Sequence, residues 1–146
     1  MYKRQVQEHA KQTESAVISV SVLTEQELSQ FNDAEAAEMR EEIAVDGNGI
    51  DSIIRAAYQT LGLISFFTTG EKETRAWTVP EKSTAPRAAR AIHTDFEKNF
   101  IRAEVIDCDT LLKSGSYADA RTAGLLRLEG KEYIVQDGDV IIFRTG

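Results

Sequence analysis

The hydrophobic pattern of this 146-residue chain changes its period at Gly62. Before that glycine, apolar residues recur three or four positions apart, which predicts one face of an amphipathic helix. These residues are Ile50, Ile53, Ile54, Ala57, Tyr58 and Leu61. After Gly62, short runs of β-branched and aromatic residues alternate with turn residues, which predicts strands. Two different kinds of structure therefore share one short chain.

The first 62 residues are predicted to be mostly helical. Thr24 and Glu27 match a capping box that opens a helix, and Asn48 is a candidate cap for the helix that contains Ile50. The other predicted elements are helices over 2–12 and 34–44, a buried strand within 16–23, and a turn over 46–49.

The remaining residues are predicted to form a small α+β domain. Gly70 to Glu73 separates two apolar runs, as expected for a hairpin, and Thr84 followed by Pro86 predicts the start of a helix that reaches Lys98. The predicted strands are 63–69, 75–79, 101–106, 131–135 and 140–144, with helical segments at 107–113 and 117–128. The order ββαβ(α)ββ predicts one helix packed across a mixed sheet.

Charge is unevenly distributed along the chain. Residues 1–62 carry five Lys/Arg and eleven Asp/Glu, whereas residues 63–146 carry twelve and thirteen. The acidic excess belongs to the first part, so the nearly neutral second part has room for a basic face. No apolar run is long enough to span a bilayer, and no signal peptide follows Met1. With Cys108 as the only cysteine, these features predict a cytoplasmic protein with no membrane partner.

The sequence offers little for catalysis. It contains no phosphate-binding loop, and its two histidines, His9 and His93, lie in different parts of the chain. Asp95 could orient His93, but a helix-terminal histidine beside charged residues is the favoured interpretation. Acidic neighbours disfavour a thiolate at Cys108. No catalytic or metal-binding residue is predicted.

Basic residues give the only binding signal read from the residues themselves. The candidates are Arg87, Arg90 and Lys98, spaced along one face of the helix predicted from Thr84, and Arg102 just beyond it. Arrays of this kind bind phosphate backbones. The alternative is a solvated face that Asp95 and Glu97 partly neutralise. Trp77 is interpreted as a core or interface anchor, with a base-stacking platform as the alternative.

Three segments closely resemble the C-terminal region of the YchF/Obg-like ATPases. They are residues 70–80 (GEKETRAWTVP), 84–103 (TAPRAARAIHTDFEKNFIRA) and 123–140 (AGLLRLEGKEYIVQDGDV). In that family the region is a TGS domain, a ubiquitin-like β-grasp module. The resemblance therefore implies that residues 63–146 are a TGS domain, which agrees with the predicted order of elements.

The resemblance continues through residues 1–62. Val17 to Ser21 resembles the last strand of the family's P-loop GTPase-like domain, and the acidic helices resemble the linker to the TGS domain. In the family, the phosphate loop and the magnesium and adenine motifs would precede Tyr2, and only Ser21 lies where the family approaches the nucleotide base. The implication is the C-terminal portion of a larger ATPase. It would be inactive alone and without a cofactor, whereas ATP and Mg²⁺ serve the full-length family.

Hypotheses of different classes follow. The leading one is a docking or regulatory module for the ribosome or ribosomal RNA, joined to the missing N-terminal NTPase domain and with no DNA partner. The alternative is part of a split nucleotide-hydrolysing assembly, because a strand at Val17 to Val20 would have an unpaired edge. A protein-interaction adaptor that uses the sheet around Trp77 is the third.

Overall fold

A computed structural model describes residues 2–43, 49–70 and 73–146. The chain divides into two compact units, one ending at Thr60 and the other running from Leu61 to Gly146. Asn48 and most of the turn predicted around it lie outside the described residues, as does the centre of the predicted hairpin turn. Among the described helices, none has the length and apolar character needed to cross a bilayer.

The described part of the first unit is helical. It contains α1 (Tyr2–Gln12), α2 (Val22–Leu28), α3 (Asp33–Glu42) and α4 (Gly49–Thr60). The helix predicted over 2–12 is confirmed, and so is the helix that contains Ile50. The capping box predicted at Thr24 is wrong, because α2 begins earlier and Ser21 caps it by accepting a hydrogen bond from the Thr24 N–H. A capping box does open α3, between Asn32 and Glu35.

The strand predicted within 16–23 is wrong. Residues 15–21 are neither helix nor strand, and Val17 and Ile18 are exposed. A strand needs a neighbour to share its backbone hydrogen bonds, and the described residues of the first unit supply none. The segment therefore has no partner strand among the described residues, as the split-assembly hypothesis assumed, and that hypothesis stays a prediction.

Glu25 ties three elements of the first unit together. Its carboxylate accepts a hydrogen bond from the Gly49 N–H at 2.8 Å and pairs with Arg40 at 3.2 Å. The Gly49 hydrogen bond is the main reason that the pKa of Glu25 is lowered. A Cβ at position 49 would lie 2.5 Å from Val20 Cγ1, so this close approach requires glycine.

The second unit contains a five-stranded sheet, which confirms the predicted α+β class. Its elements are β1 (Leu63–Thr69), β2 (Thr74–Pro80), α5 (Ala85–Ile92), α6 (Thr94–Lys98), β3 (Phe100–Asp107), α7 (Cys108–Ser114), α8 (Tyr117–Thr122), β4 (Arg127–Glu129) and β5 (Asp139–Thr145). The strand order is β2-β1-β5-β3-β4, with β1 and β5 parallel and the other pairs antiparallel.

Both faces of the sheet carry helices, so the prediction of one helix packed across the sheet is wrong. Strand residues alternate between the two faces. On one face, Ala85, Ala88 and Ala89 of α5 are fully buried against a core that includes Ala103 and Val105 of β3. On the other face, α7 and α8 contribute to a second core around Ile106, Ala120 and Val140. The face that β3 residues point to therefore decides which helices they meet.

The helix predicted from Thr84 to Lys98 is interrupted at His93. This residue has extended backbone angles (φ −157°, ψ 140°), and its Nδ1 accepts a hydrogen bond from the Asp95 N–H, which caps α6. The apolar face nevertheless persists across the break, since Ile92 and Phe96 both pack against the core.

The end of the chain also differs from prediction. The helix expected over 117–128 ends at Thr122. Two residues later, Gly124 adopts a left-handed φ of +70°, and the chain turns toward β4. The strand expected over 131–135 is not formed, since only an isolated bridge joins Ile134 to Thr84. Asp139, whose carboxylate accepts hydrogen bonds from the Tyr133 hydroxyl and the Gln136 N–H, holds this segment as a loop.

Candidate functional site

Two of the predicted cationic residues lie together on α5. Because α5 buries its alanines, Arg87 and Arg90 are exposed on its outer side. Arg90 Nη1 donates a hydrogen bond to Glu97 Oε2 at 3.2 Å, so its charge is partly neutralised. Lys98 is the last residue of α6 and is also exposed. The predicted cationic stripe on a single helix is therefore wrong, because Arg87 and Arg90 lie on α5 and Lys98 lies on α6.

The fourth predicted residue, Arg102, faces the other side of the sheet. The β3–β5 ladder shifts register between Phe100 and Arg102, and such a bulge re-aims the side chains next to it. Ile101 and Arg102 are both exposed, whereas Phe100 and Ala103 are buried in the core beneath α5. The structure does not bring Arg102 together with Arg87.

Arg102 instead lines an open cavity of about 600 Å³ on the face that carries α8. We call this cavity the guanidinium groove. Three arginines from three elements, one carboxylate and two leucines line it: Arg102, Arg121, Arg144, Glu104, Leu126 and Leu128. Arg102 of β3 lies directly opposite Arg144 of β5. The groove therefore concentrates positive charge in a unit that is nearly neutral as a whole.

Glu104 organises the guanidinium groove from its floor. Its side chain is 9% exposed, its Oε1 accepts from Arg144 Nε at 3.0 Å, and its Oε2 accepts from Arg121 Nη2. The Tyr117 hydroxyl donates to Oε2 at 3.1 Å. These contacts, with that of Arg144 foremost, lower the pKa of Glu104 to about 2. The carboxylate therefore stays ionised at neutral pH and holds both guanidiniums in place.

Tyr117 completes this polar cluster from α8. Burial and the hydrogen bond to Glu104 raise its pKa to about 12, so the hydroxyl keeps its proton at neutral pH. Arg121 lies one helical turn further on, with its guanidinium carbon 5.7 Å from the centre of the Tyr117 ring. The arrangement holds charges in place, but it supplies no nucleophile or general base.

Sequence reasoning missed Glu104, Arg121 and Arg144. One local signal was available, because Arg102 and Glu104 are two positions apart in a strand and must share a face. The contributions of α8 and β5 depend on tertiary pairing, which no local spacing reveals. The helix predicted through residue 128 also obscured the true end of α8.

Ser21, the residue that the family resemblance places near the nucleotide base, lies at the start of α2. Ser21 Oγ serves as the N-cap of α2 and also accepts a hydrogen bond from the Thr24 hydroxyl at 2.8 Å. Within the part of the chain that the structure describes, no cluster of three or more His, Cys, Asp or Glu side chains could hold a metal ion. ATP and Mg²⁺, implied by the family resemblance, do not fit a site built from Ser21 alone.

Trp77 lies at the edge of the sheet, on the face that carries α5. It packs partly buried against the core, its Nε1 donates to Thr68 Oγ1 at 2.9 Å, and the Arg75 guanidinium lies 4.3 Å from the ring centre. These contacts favour an anchoring role over a base-stacking platform.

Comparison with known proteins identifies the family. Residues 63–146 match the family model YchF-GTPase_C, described as a protein of unknown function (DUF933). The "Ribosome-binding ATPase YchF" of Pasteurella multocida is 46% identical over 143 residues, which are 98% of this chain and 39% of that protein. The protein of the same name from Bacillus subtilis is 45% identical over 139 residues, 95% of this chain and 38% of that protein.

Solved structures agree with these sequence matches. The YchF GTPase of Schizosaccharomyces pombe superposes with a TM-score of 0.83 and 32% identity, covering 99% of this chain and 38% of that one. A GTP-binding protein from Pyrococcus horikoshii shares the fold, with a TM-score of 0.66 at 23% identity over 99% of this chain and 41% of that one. The chain spans about two fifths of the length of the curated relatives described above. It belongs to the YchF family and corresponds to the C-terminal part of its members.

Proposed function

We propose that this chain is a ribosome-docking module, the C-terminal TGS portion of a YchF-type ATPase. The observation that carries the proposal is the 46% identity, over 98% of the chain, to a protein named as a ribosome-binding ATPase. Docking is proposed because the described residues include exposed cationic groups that suit an RNA phosphate backbone. In this account ATP and Mg²⁺ belong to the rest of a full-length ATPase, and docking takes place in the cytoplasm.

The assignment of residues 63–146 to the TGS, β-grasp type is part of this proposal. Support comes from the sheet order β2-β1-β5-β3-β4, in which β1 and β5 are parallel neighbours, and from α5, which packs across one face. The first unit would then contribute linker helices beside a remnant of the NTPase domain.

Electrostatic attraction to ribosomal RNA is the proposed basis of docking. Arg87, Arg90, Lys98 and Arg102 all present exposed guanidinium or ammonium groups, and cations at an RNA surface release bound counterions. The net charge of −7 does not oppose this, because the acidic excess lies in residues 1–62.

Co-sedimentation with purified ribosomes over a salt series tests the proposal. We expect binding that weakens steeply between about 50 and about 200 mM salt. The single reversals R87E and R90E should each reduce binding further, whereas reversal of Lys131, an exposed cation in a loop of the same unit, provides a charge-matched control for each. Absence of co-sedimentation at low salt would contradict docking, and binding insensitive to salt would contradict its electrostatic basis.

A further inference from the structure

We propose that the guanidinium groove is a phosphate-binding site that takes a phosphodiester group of single-stranded RNA. The site differs from the cationic face of α5, and neither Arg121 nor Arg144 belongs to the predicted set of binding residues. The choice of RNA as the source of the phosphate rests on the proposed ribosome-docking function.

The first argument is a local arrangement that the fold does not favour. Arg102 and Arg144 are paired directly across the antiparallel β3–β5 ladder, and like charges in that position repel each other. Among the described residues, no carboxylate lies within ion-pair distance of Arg102. Natural sequences tolerate such conflicts chiefly at functional sites. A bound anion between the two guanidiniums would relieve the repulsion.

The second argument is preorganisation. Glu104 holds Arg121 and Arg144 with one N–H donor from each, and a guanidinium carries five such donors. Most donors of both arginines therefore remain available to a ligand. Three guanidiniums and one carboxylate leave two net positive charges in the groove. Because Glu104 fixes two of the side chains beforehand, less conformational entropy is lost on binding.

The third argument concerns the class of ligand. Guanidinium forks match phosphate oxygens in paired hydrogen bonds. Leu126 and Leu128 line the same groove, and Leu128 is 67% exposed. A ligand that carries both phosphates and flat apolar surfaces satisfies both kinds of lining, and single-stranded RNA has both. Each nucleotide of RNA carries both a phosphate and a flat base, whereas each acidic residue of a peptide supplies the charge without an apolar surface.

Fluorescence anisotropy with a labelled single-stranded RNA of about 12 nucleotides tests the site on the full chain. Arg102→Gln should weaken binding about tenfold. The decline of log K with log salt should become shallower by about 0.7. Lys131→Gln removes an exposed cation outside the groove and should change affinity less than about twofold. Arg102→Lys keeps the charge without the fork, so it should fall between wild type and Arg102→Gln.

Two further arms identify the source of the anion. AMP and poly-glutamate, added as competitors at matched charge concentration, should displace the RNA poorly.

Trp77 emission checks that each variant is folded. Arg121→Gln, which can still donate a hydrogen bond to Glu104, is the second variant should Arg102→Gln fold poorly.

The outcomes separate this inference from the docking function. Equal affinities for Arg102→Gln and Lys131→Gln would overturn the phosphate site, even if ribosome co-sedimentation succeeds. Loss of RNA binding in Arg102→Gln without any co-sedimentation would overturn docking and leave the phosphate site standing. Displacement by AMP or by poly-glutamate as effective as that by unlabelled RNA would overturn RNA as the ligand.

Discussion

Arg144 Nε donates a hydrogen bond to Glu104 Oε1 across neighbouring strands at 3.0 Å. Glu104 lies two residues beyond Arg102, the residue directly opposite Arg144. One carboxylate thus draws one member of a repelling arginine pair toward itself, while Arg121 reaches it from α8. This relationship links the stability of the second unit to the geometry of the guanidinium groove.

Replacement of Glu104 by glutamine should destabilise the second unit in a pH-dependent way. At pH 7 we expect a loss of about 2 kcal/mol in the free energy of unfolding, since hydrogen bonds to a charged group are weakened. The folded pKa of about 2 lies below the ordinary value of 4.5. The stabilisation by the carboxylate is therefore complete above pH 4.5 and disappears as the pH falls through about 2.

Denaturant unfolding followed by the emission of Trp77 measures this effect, because Trp77 is the only tryptophan in the sequence and lies in the second unit. The difference between wild type and Glu104→Gln should shrink as the pH falls from 4.5 toward 2. Glu132→Gln, at an exposed position, is the control. A difference that stays constant over this pH range would refute the role assigned to the carboxylate.

Substitution of Gly138 by alanine should cost about 1 to 2 kcal/mol. Gly138 has φ +82°, and a Cβ there would meet nothing within 4 Å, so the cost comes from the backbone alone. Gly130 has equally open space without a left-handed φ. The same denaturant measurement should therefore show a change below about 0.5 kcal/mol for Gly130→Ala. Equal effects of the two substitutions would contradict the assigned backbone conformation.

Substitution of Gly49 by alanine should loosen the start of α4. The new Cβ would lie 2.5 Å from Val20 Cγ1 and 2.9 Å from Glu25 Oε1, which forces apart the contact between Glu25 and the Gly49 N–H. Hydrogen exchange of the α4 amides should accelerate about tenfold, since overpacking costs about 1 to 3 kcal/mol. Gln59→Ala, on an exposed position of the same helix, should leave exchange unchanged. Unchanged protection in Gly49→Ala would show that the contact does not hold α4.

Elements with strong local periodicity were predictable from the sequence. The hairpin of β1 and β2 followed from two apolar runs around Gly70, and β3 and β5 from their β-branched residues. The break at His93 was not predictable, because no Gly or Pro marks it and the cap comes from the histidine side chain itself. The run at Val17 has strand-like composition, but composition cannot supply the neighbouring strand that it needs.

The candidate site was predictable only in part. The sequence pointed to Arg102 as a phosphate-binding residue, and its binding role stays a prediction. It grouped Arg102 with the arginines of α5, because the extra residue of the bulge at Ile101 cannot be recognised from local pattern. Arg144 and Arg121 reach the groove through strand pairing and helix packing over 40 and 17 residues of sequence separation from Glu104.

The most direct test of this account is ribosome co-sedimentation of the full chain beside its Arg102→Gln variant at several salt concentrations. We predict that the wild-type chain co-sediments at about 50 mM salt and is released by about 200 mM. The variant should bind more weakly and with a shallower salt dependence, while Lys131→Gln behaves as wild type. Wild-type and Arg102→Gln curves that coincide at every salt concentration would contradict the account.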